Sequence, residues 1–257
     1  MHDLTLSIIS HGHVADVVLL LKDIQEHVKK NIKIIITLNI PEHNTLLKDF
    51  PFLQIKIIQN QSPKGFAENH NQAFKVSKST YFAVINPDIR LNSTDPFKNL
   101  LSFLSNNSNS GIATPIILNQ EGSQEDFIRK NLTPLSLIKK YMLHKKRLNE
   151  SISKDDFFWI AGMFMVFNSE IYKEINGFDT RFFLYCEDCD ICIRLFLKNY
   201  TLNVVKDISV IHNAHRSSHK SLKYLVLHIT SLFRLWFSFS FLKLNIKLFK
   251  RRIIMLK

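Results

Sequence analysis

Ile32–Asn39, IKIIITLN, is a near-continuous run of β-branched residues. A strand reads this way when both faces of its sheet are covered, so that no alternate position has to meet water. The run sits in a series. Leu4–Ser10 reads as a short buried strand, Val14–Val28 as an amphipathic helix, and Asn44–Phe50 as another helix. Gln54–Gln59 then reads as a strand, Pro63-Lys64-Gly65 as a loop, Ala67–Ser77 as a helix and Tyr81–Ile85 as a strand. Strands alternating with helices predict an α/β fold built on a parallel, doubly wound sheet.

In such sheets, ligands bind at the carboxyl ends of the strands. Three polar clusters fall there: Ser10-His11-Gly12-His13, Asn39, and Asn86-Pro87-Asp88. Each alone could be no more than a turn, since Asn, Asp, Gly and Pro all favour turns. Their recurrence at successive strand ends points to a site.

Further along, Asn92–Ser110 reads as a helix followed by a polar turn, and Ile112–Leu118 as a strand. Residues 119–156 read as a variable loop with one helix. Phe158–Phe167 is apolar and strand-like. Ser169 is placed to cap a short helix that ends at Asn176-Gly177, with the glycine left-handed. Asp188–Asn199 reads as a helix, and Leu202–Val205 and Ile208–Ile211 as two short strands.

With 257 residues, 46% of them hydrophobic, the chain can build a sizeable core. Its formal charge is 34 − 22 = +12. Basic proteins seek phosphate in nucleic acid, anionic lipid or nucleotide-linked substrates. The excess is concentrated. Past Asp207 there is no acid, while Lys223, Arg234, Lys243, Lys247, Lys250, Arg251 and Arg252 all lie there. The residues at the start of the chain show neither a basic leader region nor a cleavage pattern, so no secretion signal is expected.

Cys186, Cys189 and Cys192 lie within one short span. An odd, close-set trio is not a disulfide framework and fits a reducing compartment. C-x-x-C-x-x-C resembles part of an iron–sulfur ligand run, but the fourth cysteine and its proline are missing. Small apolar residues on a helix near the core is the simpler reading.

The same stretch carries Glu187, Asp188 and Asp190 directly behind the aromatic run Phe182-Phe183-Leu184-Tyr185. Acids suit the first turn of a helix. A cap does not require the aromatic lead-in, however, and carboxylates beside apolar surface are costly unless they pair, bind metal or move protons.

Here the sequence becomes recognisable. Gly162-Met163-Phe164-Met165, followed by Asn176-Gly177-Phe178-Asp179 and FFLYCEDCDICIR, resembles the bacterial family 2 glycosyltransferases, in particular their rhamnosyltransferase-like branch. Upstream, Lys64-Gly65-Phe66-Ala67-Glu68-Asn69-His70-Asn71 and Asn86-Pro87-Asp88 match in the right order. Downstream, His212 with Arg216-Ser217-Ser218 matches as well.

The resemblance covers roughly residues 4–220 and implies a GT-A fold, with a mostly parallel Rossmann-like sheet flanked by helices. It implies a nucleotide half at about 1–118 and an acceptor half at about 119–220; residues 221–257 lie beyond it and read, from their own pattern, as a basic amphipathic membrane-associating tail. It also implies an inverting transfer from a nucleotide diphosphate sugar, dTDP- or UDP-linked and possibly carrying rhamnose, to a glycan or lipid-linked glycan of O-antigen or capsule type. Asp188 would be the base, with Glu187 and Asp190 shaping its surroundings. Ser10, Asn39, Lys64, Asn69, Asn71, Asp88 and Arg216 would bind the donor. Asp88 and His212 would hold a divalent cation, Mg2+ or Mn2+.

The chain departs from the pattern in two places. The acid expected before Asn39 is Leu38, which leaves the nucleobase open. Arg90 stands where the second acid of a D-x-D would fall, which leaves metal dependence open.

The longest uncharged run of the tail, Leu235–Leu242, is too short to span a bilayer. Its Phe, Trp and Leu mixed with Lys and Arg suit an interfacial helix on anionic lipid, which implies a cytoplasmic enzyme peripheral to the inner face of the membrane. Two other functions fit less well. A sugar nucleotidyltransferase would show a Gly-rich basic loop near its start, and a nucleic-acid binder would spread its cations over an aromatic-studded face.

Overall fold

A computed structural model describes residues 3–28, 32–43, 45–130, 132–134, 157–214 and 222–255. Its centre is an eight-stranded sheet in the order β3-β2-β1-β4-β9-β6-β10-β5. The strands are β1 (Leu4–Ser10), β2 (Ile32–Leu38), β3 (Gln54–Gln59), β4 (Tyr81–Ile85), β5 (Ile89–Arg90), β6 (Ser110–Leu118), β9 (Phe164–Asn168) and β10 (Thr201–His212). A separate antiparallel pair joins β7 (Ile128–Lys130) to β8 (Phe158–Ile160).

The first four strands of the sheet are mutually parallel, as the alternation of elements predicts. β9 then enters antiparallel between β4 and β6. β6 and β10 run parallel, and β5 closes the edge antiparallel to β10. The sheet is therefore mixed and runs through both expected halves. A continuous apolar run such as Phe158–Phe167 carries no direction, so β9's reversal is invisible in it. The run also breaks in two at Gly162, where Met163 N–H turns back to Ala161 C=O.

The helices are amphipathic where the spacing says so. In α1 (Val14–His27), Val17, Leu20, Leu21 and Ile24 form one buried stripe. In α3 (Pro96–Asn106), Asp95 caps the first turn by accepting from Phe97 and Lys98 N–H, with Pro96 at the first helical position. That cap moves the start of the helix past Asn92 and Ser93, both with positive φ. Thr45–Asp49 forms a 3-10 turn instead of the expected α-helix. α4 (Ser169–Glu174) is capped by Asn168, whose side chain accepts from Glu170 N–H, and not by Ser169. Gly177, with φ +61, ends the segment as expected. The two short strands expected before His212 are one strand, β10, with an irregularity between Val205 and Ser209.

Four more helices lie among the described residues: α2 (Phe66–Lys75), α5 (Glu187–Leu197) and the tail pair α6 (Leu222–Trp236) and α7 (Phe239–Met255). The tail is not a free appendage. Leu235, Phe241 and Leu244 are buried in the same core as the sheet. Trp236 donates from its indole to Leu132 C=O, and Ser231 donates to Leu184 C=O. The helix expected inside 119–156, beyond the parts named above, lies outside the described residues, as does Arg216.

Candidate active site

β1, β2 and β4 end on the same side of the sheet, so the three polar clusters converge there. Ser10 is fully buried and donates from Oγ to Glu42 Oε2 at 2.8 Å. The same Glu42 oxygen accepts the Val14 N–H at the start of α1, at 3.2 Å. Glu42 Oε1 is buried without a hydrogen-bond partner. An orphaned carboxylate oxygen is costly, which makes this atom a candidate for a ligand's N–H.

Asn39 and Asn69 are buried and bonded to the chain itself. Asn39 Oδ1 accepts from Lys64 N–H and from Asn60 Nδ2, both at 2.8 Å, while its own Nδ2 donates to Lys64 C=O at 2.9 Å. Asn60 Nδ2 also donates to Asn69 Oδ1 at 2.7 Å, and Asn69 Nδ2 donates to Lys64 C=O. These amides hold the Pro63-Lys64-Gly65 loop in shape; they do not face outward as pocket lining. Asn60, absent from the sequence-based set, is central to the network. Lys64 Nζ pairs with Glu68 at 2.8 Å.

Asn71 stands apart from this cluster. Its side chain binds Phe178 N–H and C=O and the Tyr172 hydroxyl, which anchors the Gly177–Phe178 turn. In this structure its amide is engaged in holding that turn. Its neighbour His70 is buried against Ser7 Oγ at 2.8 Å, and burial pushes its pKa down to about 3, so the ring is neutral.

The loop and the aromatic run interlock. Phe66 N–H donates to Phe183 C=O at 2.9 Å. A Cβ on Gly65 would lie 2.6 Å from that carbonyl oxygen, so only glycine admits the approach. Tyr185 and Cys186 follow in the left-handed region, with φ 70 and 66. Consecutive non-glycine residues there are strained, and such strain gathers at functional sites. It delivers the chain into α5 with its acids in the first turn.

The three acids separate by environment. Asp190 is buried and bridged to Arg194 Nε at 2.7 Å, and it accepts from Ser240 Oγ of α7 at 2.9 Å. It ties α5 to the tail and has no oxygen left for chemistry. Glu187 is 5% exposed, and its Oε2 has no partner. Burial, with Asp188 beside it, pushes its carboxyl well above the usual range. Asp188 is only half-buried. Its Oδ2 accepts the Gly162 N–H at 3.1 Å and its Oδ1 accepts the Cys189 N–H at 2.8 Å. Burial raises its pKa, and the nearby Arg129 and these N–H groups oppose the rise. Asp188 is thus a fixed, partly accessible carboxylate with raised proton affinity. The three cysteines are free and buried, with burial pushing their thiols up, as the simple core reading expects.

Asn86 N–H donates to Met163 C=O, which sets the Asn86-Pro87-Asp88 turn next to the Gly162–Asp188 contact. Asp88 meets His212 there, with Oδ2 3.3 Å from Nε2. The antiparallel pairing of Ile89 with His212 holds them in register. Asp88 Oδ1 and His212 Nδ1 are both buried without partners. Arg90 points away. Its guanidinium donates to Ile89 and Asp16 C=O and lies 3.9 Å from Asp23, so it braces α1.

A divalent cation tests well against this pair in one respect: Asp88 Oδ1 is buried with unmet capacity, and the imidazole beside that carboxylate offers a nitrogen donor through Nε2. Among the described residues no group of three or more His, Cys, Asp or Glu is arranged to hold a metal. Two protein donors suit an ion that keeps the rest of its sphere for phosphate oxygens and water.

Comparison with known proteins defines the class. Residues 137–244 match the model for "Glycosyl transferase family group 2". The rhamnosyltransferase WbbL of Escherichia coli (strain K12) is 29% identical over 245 residues, covering 88% of this chain and 90% of that protein. Among solved structures, a mannosyltransferase from Pyrobaculum calidifontis in complex with GDP-Man and Mn2+ superposes with TM-score 0.65 at 13% identity. GalNAc-T7 with UDP, GalNAc and Mn2+ superposes with TM-score 0.63 at 14% identity. The alignments cover 91% and 84% of this chain, but only 63% and 44% of those chains, less than two thirds of each. The fold is that of the GT-A glycosyltransferases, and the protein is a glycosyltransferase. Within that class it is similar to the family group 2 enzymes over residues 137–244 and to a rhamnosyltransferase over most of its length.

Proposed function

We propose that the chain transfers a sugar, rhamnose in the first instance, from a dTDP- or UDP-linked donor to a growing lipid-linked surface polysaccharide, with inversion. The observation that carries this reading is the placing of Asp188: a carboxylate of raised proton affinity held by the Gly162 and Cys189 N–H groups. A general base is most effective when its pKa approaches the working pH. Asp188 takes the proton of the acceptor hydroxyl as that oxygen attacks the anomeric carbon. The bond from that carbon to the diphosphate oxygen breaks on the opposite face, and its electron pair leaves with the nucleoside diphosphate.

Asp88 and His212 are the residues to hold a divalent cation on the diphosphate. When bound, such an ion neutralises leaving-group charge. The loop braced by Asn39, Asn60 and Asn69 presents the Lys64 backbone to the donor. Glu42 takes the place of the acid missing before Asn39, its free Oε1 facing an imide N–H of uracil or thymine. The tail seats the enzyme on the inner face of the plasma membrane beside its lipid-linked acceptor.

The deciding experiment is a donor panel. Thermal shift and hydrolysis are measured with dTDP-, UDP- and GDP-sugars, with and without Mn2+ or Mg2+, and the product's anomeric configuration is read by NMR. Response to a dTDP- or UDP-sugar with an inverted product supports the assignment. Silence towards every donor, or retention, sinks it.

A further inference from the structure

The contact between Asp88 and His212 uses only one edge of the imidazole. His212 faces Asp88 through Nε2, while Nδ1 is buried and makes no hydrogen bond. Glu125 Oε1 stands 4.0 Å from that nitrogen. The backbone of Glu125 is fixed just past β6, its N–H donating to Ile117 C=O and its C=O accepting from Phe127 N–H. Its side chain is 21% exposed, against 12% for His212. The gap is about 1 Å longer than a hydrogen bond, within the reach of a rotamer change at a side chain with that much freedom.

A neutral imidazole carries one N–H and one lone pair, and an ionised carboxylate can only accept. Glu125 therefore favours the tautomer with its proton on Nδ1, while Asp88 Oδ2, 3.3 Å from Nε2, favours the opposite one. With a cation taking the Nε2 lone pair only the Nδ1–H form would remain, and Glu125 is the carboxylate placed to accept from it. Histidines that ligate a metal almost always donate their other N–H to a carboxylate, carbonyl or water, and these partners tune affinity. Asp88 Oδ1, also buried and unpartnered, marks the same spot from the other side.

We propose that Glu125 is a positioning residue. It fixes the tautomer and orientation of His212, so that Nε2 and the Asp88 carboxylate together receive a divalent cation. This rests on the reading of Asp88 and His212 as the cation site.

The test is Mn2+ titration of the full chain in the presence of UDP, followed by electron paramagnetic resonance of the free ion. Wild type is compared with Asp88→Asn, Glu125→Ala and Glu125→Gln, with melting temperature and metal-free UDP binding as controls. Glu125→Ala is expected to weaken Mn2+ binding about 10- to 100-fold. Glu125→Gln, whose side-chain carbonyl still accepts from Nδ1, should restore most of it. Unchanged affinity in Glu125→Ala, with loss in Asp88→Asn, overturns the role of Glu125 and leaves the cation site standing. A glutamine variant as weak as the alanine variant makes the carboxylate a ligand itself and also overturns the positioning role. Absence of Mn2+ binding in wild type, or its survival in Asp88→Asn, overturns the cation site and this proposal with it.

Discussion

Gly162 donates its backbone N–H to Asp188 Oδ2 at 3.1 Å, across a gap that a Cβ on Gly162 would narrow to 3.6 Å from the Asp188 Cβ. The Cys189 N–H holds the other oxygen at 2.8 Å. Both carboxylate oxygens thus have fixed directions, and the side chain keeps partial exposure. Replacing Asp188 by Asn removes the base and puts an NH2 against one of these N–H groups. Transfer should fall about 10²- to 10⁴-fold, the usual contribution of a general base. Donor affinity, measured calorimetrically, should change little. Turnover within a factor of a few of wild type would remove Asp188 from the mechanism.

Glu187 gives a pH-dependent prediction about stability. Burial, then the Asp188 charge, raises its folded carboxyl above the unfolded value, near 4.5. The folded state therefore binds more protons than the unfolded state between those two values. The contribution of Glu187 is intact below the unfolded pKa and is lost as pH rises through the folded one. Glu187→Gln carries no such titration. The melting temperature of wild type minus that of Glu187→Gln should decline as pH climbs from about 4 to neutrality. A difference that stays flat or grows over that range contradicts the raised carboxyl.

Gly65 tests the interlock between the donor loop and the aromatic run. Its missing Cβ leaves room for Phe183 C=O, which a methyl would meet at 2.6 Å. Backbone cannot give way as a flexible side chain can, so Gly65→Ala must move either the Lys64 loop or the Phe182–Tyr185 segment. A shift of about 1 Å in a positioned group can lower a rate by ~10²-fold. The expected result is a large fall in kcat with a folded protein by circular dichroism. Wild-type kinetics in Gly65→Ala would show that the contact does not set the site.

These features differ in how far the sequence reveals them. The first four parallel strands were legible because apolar runs and helical stripes are local patterns, as in Ile32–Leu38 and Val17–Ile24. Asp188 and Asp88 were legible through the motifs around them. Glu42, Asn60 and Glu125 were not, since each is a single polar residue in a loop that acquires meaning only across the fold. The motif around Asn71 resembles a binding segment, and what it does not reveal is that the Asn71 amide bonds Phe178 and the Tyr172 hydroxyl across the fold. The division of labour in the tail was equally hidden. Trp236, Phe237, Phe239 and Phe241 all looked alike as membrane-seeking aromatics, yet Phe241 is buried in the core and Trp236 is pinned to Leu132.

The tail prediction follows from that division. Phe237 is 85% exposed and Phe239 70%, and Leu222, Leu225, Val226, Leu242 and Phe249 are also exposed. Lys243 lies over the Phe239 ring, and Lys247 and Arg251 lie over the Phe196 ring. No single described helix is long and apolar enough to cross a membrane; α6 and α7 would pass only as a pair bent by 57°. An exposed apolar surface with cations beside it suits an anionic bilayer interface. Deleting residues 222–257 would be a poor test, because it would strip Leu235, Phe241 and Leu244 from the core. Surface substitutions avoid that problem. Fully burying a Phe is worth about 1.5–3 kcal/mol, so Phe237→Ser with Phe249→Ser should lower partitioning onto phosphatidylglycerol vesicles by at least ~10²-fold. The melting temperature should stay near that of wild type, because neither ring is buried. Partitioning should also fall with added salt, through the cations, and be weak on neutral phosphatidylcholine vesicles. Sedimentation with anionic vesicles that is indifferent to both substitutions would show that this face does not seat the enzyme on lipid.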